Sequence, residues 1–266
     1  METTAAIQPD AKQSDGIGTR AARHLDRMFR SLADSADTEK TAGFMRLLTG
    51  EPHPMGNLAI VTDPEDPKVT QTAIRQLVER NVPAAVVYIN GVASAVAASL
   101  VAQGFHADSM PAMAVDIERM TPTTLPPGYS FARAGIAESQ DWADALATGY
   151  EIPSALGQLF SPEALRLDTT PDATTQCFAI LKDGRAVATT LLYLADGLAG
   201  IYCVATRPEE RGKGLGAHIT AEALRRAHGI GYRVGILQSS AAGHSIYRRL
   251  GFEDKAILPL FLRMPA

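Results

Sequence analysis

Apolar residues in the second half of the chain fall into short runs and into helical stripes. Residues 199–205 form a mostly apolar run with β-branched and aromatic members, which indicates a buried strand. Between residues 215 and 230, apolar positions recur every three to four residues with charged residues between them, as an amphipathic helix requires. Residues 234–238 then predict another strand, and residues 241–250 a short helix.

The same kind of pattern extends further upstream. Residues 129–134 predict a first strand, residues 138–147 a helix, and Ser161-Pro162 the cap and first residue of another helix. Asp-Gly pairs then separate apolar runs, so residues 177–205 should form three antiparallel strands. The predicted order is a strand and helices, an antiparallel meander, and then helix, strand, helix and strand.

The first 119 residues contain a degenerate copy of the pattern in this second part. Both parts contain a hydrophobic strand that ends at a proline, a helix, a strand, a second helix and a Gly-Phe pair. Pro64 and Gly104 are 40 positions apart, and Pro208 and Gly251 are 43 positions apart. Both parts then continue to a final strand, at residues 113–117 and 258–264. We therefore interpret the chain as a duplication.

A proline-rich connector marks the boundary between the two parts. The predicted organisation is a flexible N-terminus at residues 1–18, a degenerate domain at 19–119, the connector at 120–128, and a second domain at 129–266. The start of the chain shows no basic segment followed by an apolar one, so no leader is predicted. The most apolar stretch, residues 83–102, is divided by Asn90-Gly91 and is interpreted as core.

A glycine-rich turn joins the strand at 199–205 to the helix that follows. Its sequence is Arg211-Gly212-Lys213-Gly214-Leu215-Gly216. The first N–H groups of a helix have no partner inside the helix, and the positive end of the helix dipole favours an anion. The spacing fits neither a P-loop nor a G-x-G-x-x-G dinucleotide fingerprint. The turn therefore predicts a phosphate site, and the alternative is a helix start whose glycines allow tight packing.

The predicted helix at residues 241–250 carries a second stripe beside its apolar one. Ser240 at the cap, Gly243 or His244, and Tyr247 share this stripe. The stripe is small and polar apart from its tyrosine, which indicates a face kept open for a ligand. The alternative is that Tyr247 packs at the helix edge with its hydroxyl in water.

These two segments resemble the signature of the GNAT superfamily of N-acyltransferases. Arg211, Gly214 and Gly216 match the family's coenzyme A pattern Arg-x-x-Gly-x-Gly, and residues 246–252 are similar to its Leu-Tyr-x-x-x-Gly-Phe ending. The resemblance covers about residues 199–252. It implies an α+β (mixed α/β) GNAT fold with a central mixed, mostly antiparallel sheet flanked by helices, here as two tandem GNAT-like domains.

The resemblance also implies roles for individual residues. In the family, the fourth strand bulges and splays from the fifth, and its exposed backbone pairs with the pantetheine arm. The pyrophosphate rests on the glycine turn, and Tyr247 matches the general acid that protonates the departing thiolate. The cofactor-binding residues implied in this way are Val204, Ala205, Thr206, Arg211, Gly212, Lys213, Gly214, Leu215, Gly216, Ala217, Ser240 and Tyr247.

Three positions depart from the family pattern and leave the general base unassigned. Ser240 replaces a frequent asparagine, so its contact with the pantetheine arm should be weaker. Gly243 replaces an alanine, and Gly235 stands where some members carry a catalytic glutamate on the fifth strand. Glu151, in the loop 148–153 that would cover the site, is our candidate base. The alternative is that Glu151 is a solvated loop carboxylate.

Two histidines also lie near the cofactor in this interpretation. His218 and His244 occupy helical positions that fit surface or edge packing better than proton transfer. Tyr202, on the strand at 199–205, contacts either the acceptor or the core.

The first domain lacks the residues that would bind the cofactor. The sequence Glu65-Asp66-Pro67-Lys68 replaces its phosphate turn, and these carboxylates would repel a diphosphate. Leu100 stands in place of Tyr247. We expect this domain to be structural or to help shape the acceptor groove.

Composition and charge limit the partners. The chain has 266 residues, 46% of them hydrophobic, which is enough for packed cores, and its net charge of −4 argues against a nucleic-acid partner. Cys177 and Cys203 lie in apolar runs without metal-site spacing, as buried thiols in a reducing compartment do. We expect a cytoplasmic protein with no metal and no membrane partner, and its oligomeric state stays open.

Taken together, the sequence predicts an N-acetyltransferase. It would transfer an acetyl group from acetyl-CoA to a primary amine of a small molecule or peptide by direct attack on the thioester. The alternative is a non-catalytic acyl-CoA-binding module that acts as a sensor or binds a partner protein.

Overall fold

The computed structural model describes residues 16–32, 38–168 and 170–265. The predicted flexible N-terminus falls mostly outside these residues, and Ile17 already begins the first helix. In chain order the elements are α1 (Ile17–Ser31), β1 (Glu39–Lys40), β2 (Phe44–Leu48), β3 (Asn57–Val61), α2 (Pro67–Glu79), β4 (Ala84–Tyr88), α3 (Ser94–Ala102), β5 (His106–Asp116), β6 (Tyr129–Ala134), α4 (Ser139–Tyr150), α5 (Ser154–Leu159), β7 (Thr175–Lys182), β8 (Arg185–Ala195), β9 (Leu198–Thr206), α6 (Leu215–Gly229), β10 (Val234–Gln238), α7 (Ala241–Leu250) and β11 (Glu253–Arg263).

The strands of the described residues form one 11-stranded sheet in the order β1-β2-β3-β4-β11-β5-β10-β9-β8-β7-β6. The pairs β3–β4 and β9–β10 are parallel, and the other neighbours are antiparallel. The predicted α+β fold, with a mixed, mostly antiparallel sheet flanked by helices, is therefore confirmed.

The predicted antiparallel meander is present as β7, β8 and β9. Asp183-Gly184 and Asp196-Gly197 connect these strands, and both residues of each pair have positive φ angles. Left-handed backbone at both central positions matches the right-handed twist of the strands that flank a two-residue turn. The meander places β9 beside β10, which positions the site described below.

The final strand of each half pairs with the other half. β5 comes from the first half and lies between β10 and β11. β11 comes from the second half and lies between β4 and β5. The sheet of each half is therefore completed by the final strand of the other half. The connector at 120–128 joins β5 to β6.

Helices cover both faces of this sheet. On one face, α1, α4 and α5 enclose a core that extends across both halves and includes Leu25, Trp142 and Ile236. On the opposite face, α6 and α7 cover the second half, whereas α2 and α3 cover the first half. Within the described residues, no helix combines the length and the apolar character needed to cross a membrane.

The prediction of a helix that starts at Ser161-Pro162 is wrong. Residues 162–166 form only a helical turn, in which the Ser161 hydroxyl accepts a hydrogen bond from the Ala164 N–H at 3.2 Å. The second helix of this half is instead α5, whose first residue, Ser154, lies eight positions before Pro162. Gly157 explains this difference, because a Cβ there would lie 2.5 Å from the Ala143 carbonyl oxygen, and its absence lets α5 pack closely on α4.

Candidate functional site

The glycine turn opens α6 with backbone that only glycine adopts easily. Gly212 and Gly214 have φ angles of 80° and 78°, and no atom lies within 4 Å of a Cβ built on either residue. Gly214 is the N-cap of α6, and no side chain caps this end of the helix. The first N–H groups of α6 are therefore available to an anion, which favours the phosphate interpretation over tight packing.

A buried carboxylate holds the turn in place. Glu210 accepts hydrogen bonds from the Tyr129 hydroxyl at 2.5 Å, from Lys182 Nζ at 2.8 Å and from Lys213 Nζ at 2.6 Å. Hydrogen bonds from Lys182, Lys213 and Tyr129 lower the pKa of Glu210 to about 2. Lys213 therefore anchors the turn through Glu210, and its charge is largely compensated.

Arg211 ties the turn to the end of α4. Its guanidinium donates to the Gly149 carbonyl oxygen at 2.9 Å and to Glu151 Oε1 at 3.1 Å. The Glu151 side chain is 70% exposed, and its backbone is left-handed with a φ of 57°. The predicted base Glu151 thus neutralises Arg211 beside the glycine turn. This pairing favours the solvated-carboxylate alternative for Glu151.

β9 contains a bulge and separates from β10 beyond it. Leu191 pairs with Tyr202, but Thr189 pairs with Ala205, so β9 has one extra residue opposite β8. Cys203 lies in this bulge with a φ of 52°, a conformation that costs a non-glycine residue about 1–3 kcal/mol. Pairing between β9 and β10 ends at Ile201 and Leu237. The strands therefore open where the sequence placed Val204, Ala205 and Thr206.

Tyr247 lies on α7 and faces Gly243. A Cβ on Gly243 would lie 3.0 Å from the Tyr247 ring, and the Phe252 ring packs against Tyr247 with centroids 5.8 Å apart. Burial raises the pKa of Tyr247 to about 12. The Tyr247 ring therefore packs at the edge of the core, which both interpretations of this residue allow. The Ser240 hydroxyl accepts from the Gly243 N–H at 3.2 Å and so serves as the cap of α7.

Tyr150, at the end of α4, is a second phenol near the bulge, and the sequence analysis assigned no role to it. Burial raises its pKa well above the ordinary value, and Cys203 and Tyr247 lie close enough to raise it further. The backbone of Val204 acts in the opposite direction. Tyr150 thus lies beside the bulge, close to Tyr247, while 37% of the residue stays exposed. Its place in the loop 148–153 was the only signal in the sequence.

Gly235 leaves no space for a larger side chain at its position on β10. A Cβ at this position would lie 2.7 Å from Leu224 and 3.1 Å from Val115. The side of β10 that could carry a carboxylate there is filled by the core under α6. Core packing in this chain therefore excludes a glutamate at position 235.

The remaining predicted residues have other partners. His218 Nδ1 contacts the Thr123 hydroxyl at 3.0 Å, and His244 Nε2 contacts Asp254 at 2.8 Å. Cys177 and Cys203 are free and buried, and burial raises the pKa of both thiols. Neither thiol is therefore an activated nucleophile. Among the residues that the structure describes, no group of His, Cys, Asp and Glu could hold a metal ion.

The corresponding region of the first half is closed. Asp66 caps α2 by accepting a hydrogen bond from the Lys68 N–H at 2.8 Å, so a carboxylate of the chain already occupies this helix end. β3 and β4 stay paired as far as Val61 and Tyr88. Leu100, the counterpart of Tyr247, is completely buried. At the position that corresponds to the candidate site, the described part of the first half therefore has a capped helix start and no opening between strands.

A cavity of about 660 Å³ lies at the opposite end of β10 from the glycine turn. Ile17, Asp116, Glu118, Arg233 and Glu253 are among its lining residues. Its charged side chains pair with one another, as Arg233 does with Glu118. The glycine turn stays our candidate phosphate site, because the carboxylates of Asp116, Glu118 and Glu253 line this cavity and would repel a diphosphate.

Comparisons with known proteins agree with this geometry. A family model described as the acetyltransferase (GNAT) family matches residues 141–252. A GCN5-related N-acetyltransferase from Kribbella flavida shares 26% identity and a TM-score of 0.64, over 95% of this chain and 98% of that chain. Another from Sphaerobacter thermophilus shares 16% identity and a TM-score of 0.58, over 84% and 76% of the two chains.

A tandem GNAT protein from the clavulanic acid biosynthesis pathway has a similar overall fold. It shares 14% identity and a TM-score of 0.52, and 95% of each chain is covered. No curated protein matches the chain. Residues 141–252 thus match the acetyltransferase (GNAT) family model, and the chain has the fold of a tandem GNAT protein, which confirms the predicted resemblance.

Proposed function

We propose that the chain is an N-acetyltransferase that transfers an acetyl group from acetyl-CoA to a primary amine of a small molecule or peptide. The observation that carries this proposal is the uncapped start of α6 beside the opening between β9 and β10. An anion-binding helix end next to unpaired strand backbone matches a ligand with a diphosphate at one end and an amide-containing arm at the other.

The residues around the opening fit coenzyme A in detail. The N–H groups of the segment from Gly212 to Ala217 would bind the diphosphate, and Gly216 lets it approach closely. The side of β9 that β10 leaves unpaired, from Val204 to Thr206, would bind the pantetheine arm. This arrangement directs the thioester towards the bulge at Cys203, where Tyr247 and Tyr150 also lie.

The reaction requires one bond exchange at the thioester carbonyl. The amine nitrogen forms a bond to the carbonyl carbon, and the carbonyl oxygen becomes an oxyanion that a β9 backbone N–H stabilises. The C–S bond then breaks, and Tyr247 donates its proton to the departing sulfur. The attacking nitrogen loses one proton to water, water returns one proton to Tyr247, and the products are an amide and coenzyme A. Glu151 would accept that proton only after leaving Arg211.

The second candidate function is a non-catalytic acyl-CoA-binding module. Two observations favour it: Gly235 leaves no space for a carboxylate, and Glu151 is paired with Arg211. The two functions share the cofactor and differ in turnover. An assay of free thiol release from acetyl-CoA with a panel of primary amines separates the two functions. Tight binding of acetyl-CoA without turnover of any amine would support only the non-catalytic module.

Cofactor binding itself is tested at Gly216. A Cβ there would meet only Thr206 and Val204, at 3.8 and 3.9 Å, so a leucine extends into the path of the pantetheine arm. We expect Gly216→Leu to weaken acetyl-CoA binding at least about tenfold, or about 1.4 kcal/mol, by titration calorimetry. Gly229→Leu is the matched control, because Gly229 is in the same helix and has no neighbour within 4 Å. Equal affinity in both variants would reject a cofactor site between α6 and β9.

A further inference from the structure

His24 brings a buried imidazole from the N-terminal helix α1 onto β9. Its Nδ1 lies 2.8 Å from the Tyr202 hydroxyl, and both residues are buried. The imidazole stacks parallel to the Tyr202 ring and meets the Tyr193 ring edge-on, with centroids 6.0 and 5.2 Å away. Gly200 makes this possible, because a Cβ there would lie 2.4 Å from His24 Cε1.

The His24 imidazole is neutral at physiological pH. Burial lowers its pKa to about 4, although the carboxylate of Asp196 and the backbone of Leu198 oppose this shift, and Arg27 adds to it. Nε2 is buried, and the Leu198 backbone offers a hydrogen-bond acceptor to the ring. A neutral imidazole has one acceptor nitrogen and one N–H. We assign Nδ1 as the acceptor, so the Tyr202 hydroxyl donates to it.

Tyr202 lies at the edge of the opening between β9 and β10. It is the first residue of β9 after the last pair with β10, and it directly precedes the bulged Cys203. Gly200 pairs with Ile236, so Tyr202 and Gln238, two residues further along each strand, lie on the same face on either side of the opening. Gln238 Nε2 donates to the Ala21 carbonyl oxygen of α1 at 3.0 Å. Helix α1 thus contacts both sides of the opening.

We propose that the Tyr202 hydroxyl accepts a hydrogen bond from the acceptor amine, and that His24 positions it for this role. This inference rests on the function proposed above. Because the phenol proton is directed to His24 Nδ1, the lone pairs of the Tyr202 oxygen remain for an amine N–H. The nitrogen lone pair is then free to attack the thioester carbonyl at the bulge. No proton moves between Tyr202 and His24 in this arrangement.

Tyr202 is therefore a catalytic residue in contact with the acceptor, and His24 is a positioning residue. The pair also gives α1 a role at the site, although this helix precedes the matched acetyltransferase domain by more than a hundred positions. The unpaired Gln238 Oε1, which is also buried, lies on the same face and provides a further acceptor for an amine.

A double-mutant cycle on amine turnover tests the pair. We expect Tyr202→Phe and His24→Phe each to lower kcat/KM for the amine about tenfold or more, with the acetyl-CoA affinity unchanged. Because His24 acts through Tyr202, the double variant should be no slower than Tyr202→Phe alone. His24→Gln keeps an acceptor atom and should recover part of the rate.

Tyr88→Phe is the matched control, because the Tyr88 hydroxyl is buried and bonded to Thr70 Oγ1 at 2.9 Å in the first half. It should lower stability without changing kcat/KM. Additive losses in the double variant, or an equal loss in Tyr88→Phe, would overturn the proposed pair. Imidazole ¹⁵N shifts test the tautomer without turnover, and a protonated Nδ1 at neutral pH would also overturn it. A wild-type chain that acetylates no amine would instead reject the proposed function.

Discussion

At the scale of single residues, burial decides the protonation state of Tyr247. Since burial raises its pKa to about 12, the phenol keeps its proton throughout the pH range in which turnover is measured. We expect Tyr247→Phe to lower kcat about 10²- to 10⁴-fold, the contribution of a positioned general acid, with little change in acetyl-CoA affinity. Release of free thiol and calorimetry measure the two quantities.

The sign of the pH dependence follows from the same pKa. A general acid is lost only when pH rises through its pKa, so Tyr247 should cause no alkaline fall in kcat below about pH 11. A fall centred near pH 10 that disappears in Tyr247→Phe would contradict this assignment. Tyr150→Phe is the comparison, because Tyr150 is the other phenol near the bulge. A larger loss in that variant would transfer the acid role to Tyr150.

The sequence predicts those site residues that belong to local motifs. The glycine turn and Tyr247 each lie within a few residues of the features that define them, a helix start and a Gly-Phe pair. His24 could not be found in this way, because its partner Tyr202 is 178 positions away and only the packing of α1 brings them together. Glu151 was named from its loop, but the loop turns its carboxylate towards Arg211.

At the scale of elements, α1 should make stability depend on pH. The pKa of His24 is about 4 in the folded chain and about 6.5 when exposed, so the unfolded chain binds more protons between these values. The stabilising contribution of neutral His24 is therefore fully present above about pH 6.5, and it is lost as the pH decreases towards 4. We expect His24 alone to contribute a decrease of about 2 kcal/mol in unfolding free energy between pH 7 and pH 5.

Urea unfolding of the wild type and His24→Phe at these two pH values checks this contribution. The variant should lose less stability on acidification by about that amount, because phenylalanine does not titrate. His106→Phe serves as the control, since His106 is exposed on β5. If the His24 variant shows the full acid sensitivity of the wild type, α1 does not bury a neutral imidazole.

Elements with strong periodicity were predicted, and those set by tertiary packing were not. The strands β7, β8 and β9 follow from apolar runs and Asp-Gly turns, and α6 from its apolar stripe. Helix α5 was missed because its six residues carry too little periodicity, and its position depends on the contact between Gly157 and Ala143. Local pattern therefore identifies elements whose burial is one-sided and regular.

At the scale of the whole molecule, the spacing of prolines and glycines predicted a repeat, but it did not predict which strands pair in the sheet. Each half ends in a strand, and sequence periodicity gives no information on which neighbour that strand pairs with. The structure places β5 beside β10 and β11 beside β4, so the two halves exchange their final strands. The connector at 120–128 is thus a covalent link between parts that are already interleaved. The division of the chain into two domains at this connector remains our proposal from the sequence pattern.

Cleavage of the connector should therefore leave the molecule assembled. A protease site inserted within residues 120–128 cuts the chain between β5 and β6 without removing any strand. We expect the two fragments to elute together in size-exclusion chromatography, with an unchanged circular dichroism spectrum and acetyl-CoA affinity. The fragment 129–266 expressed alone lacks β5, which leaves unpaired backbone on β10 and β11, and it should aggregate. A soluble, folded fragment 129–266 that binds acetyl-CoA would show that the second half does not need the exchanged strand.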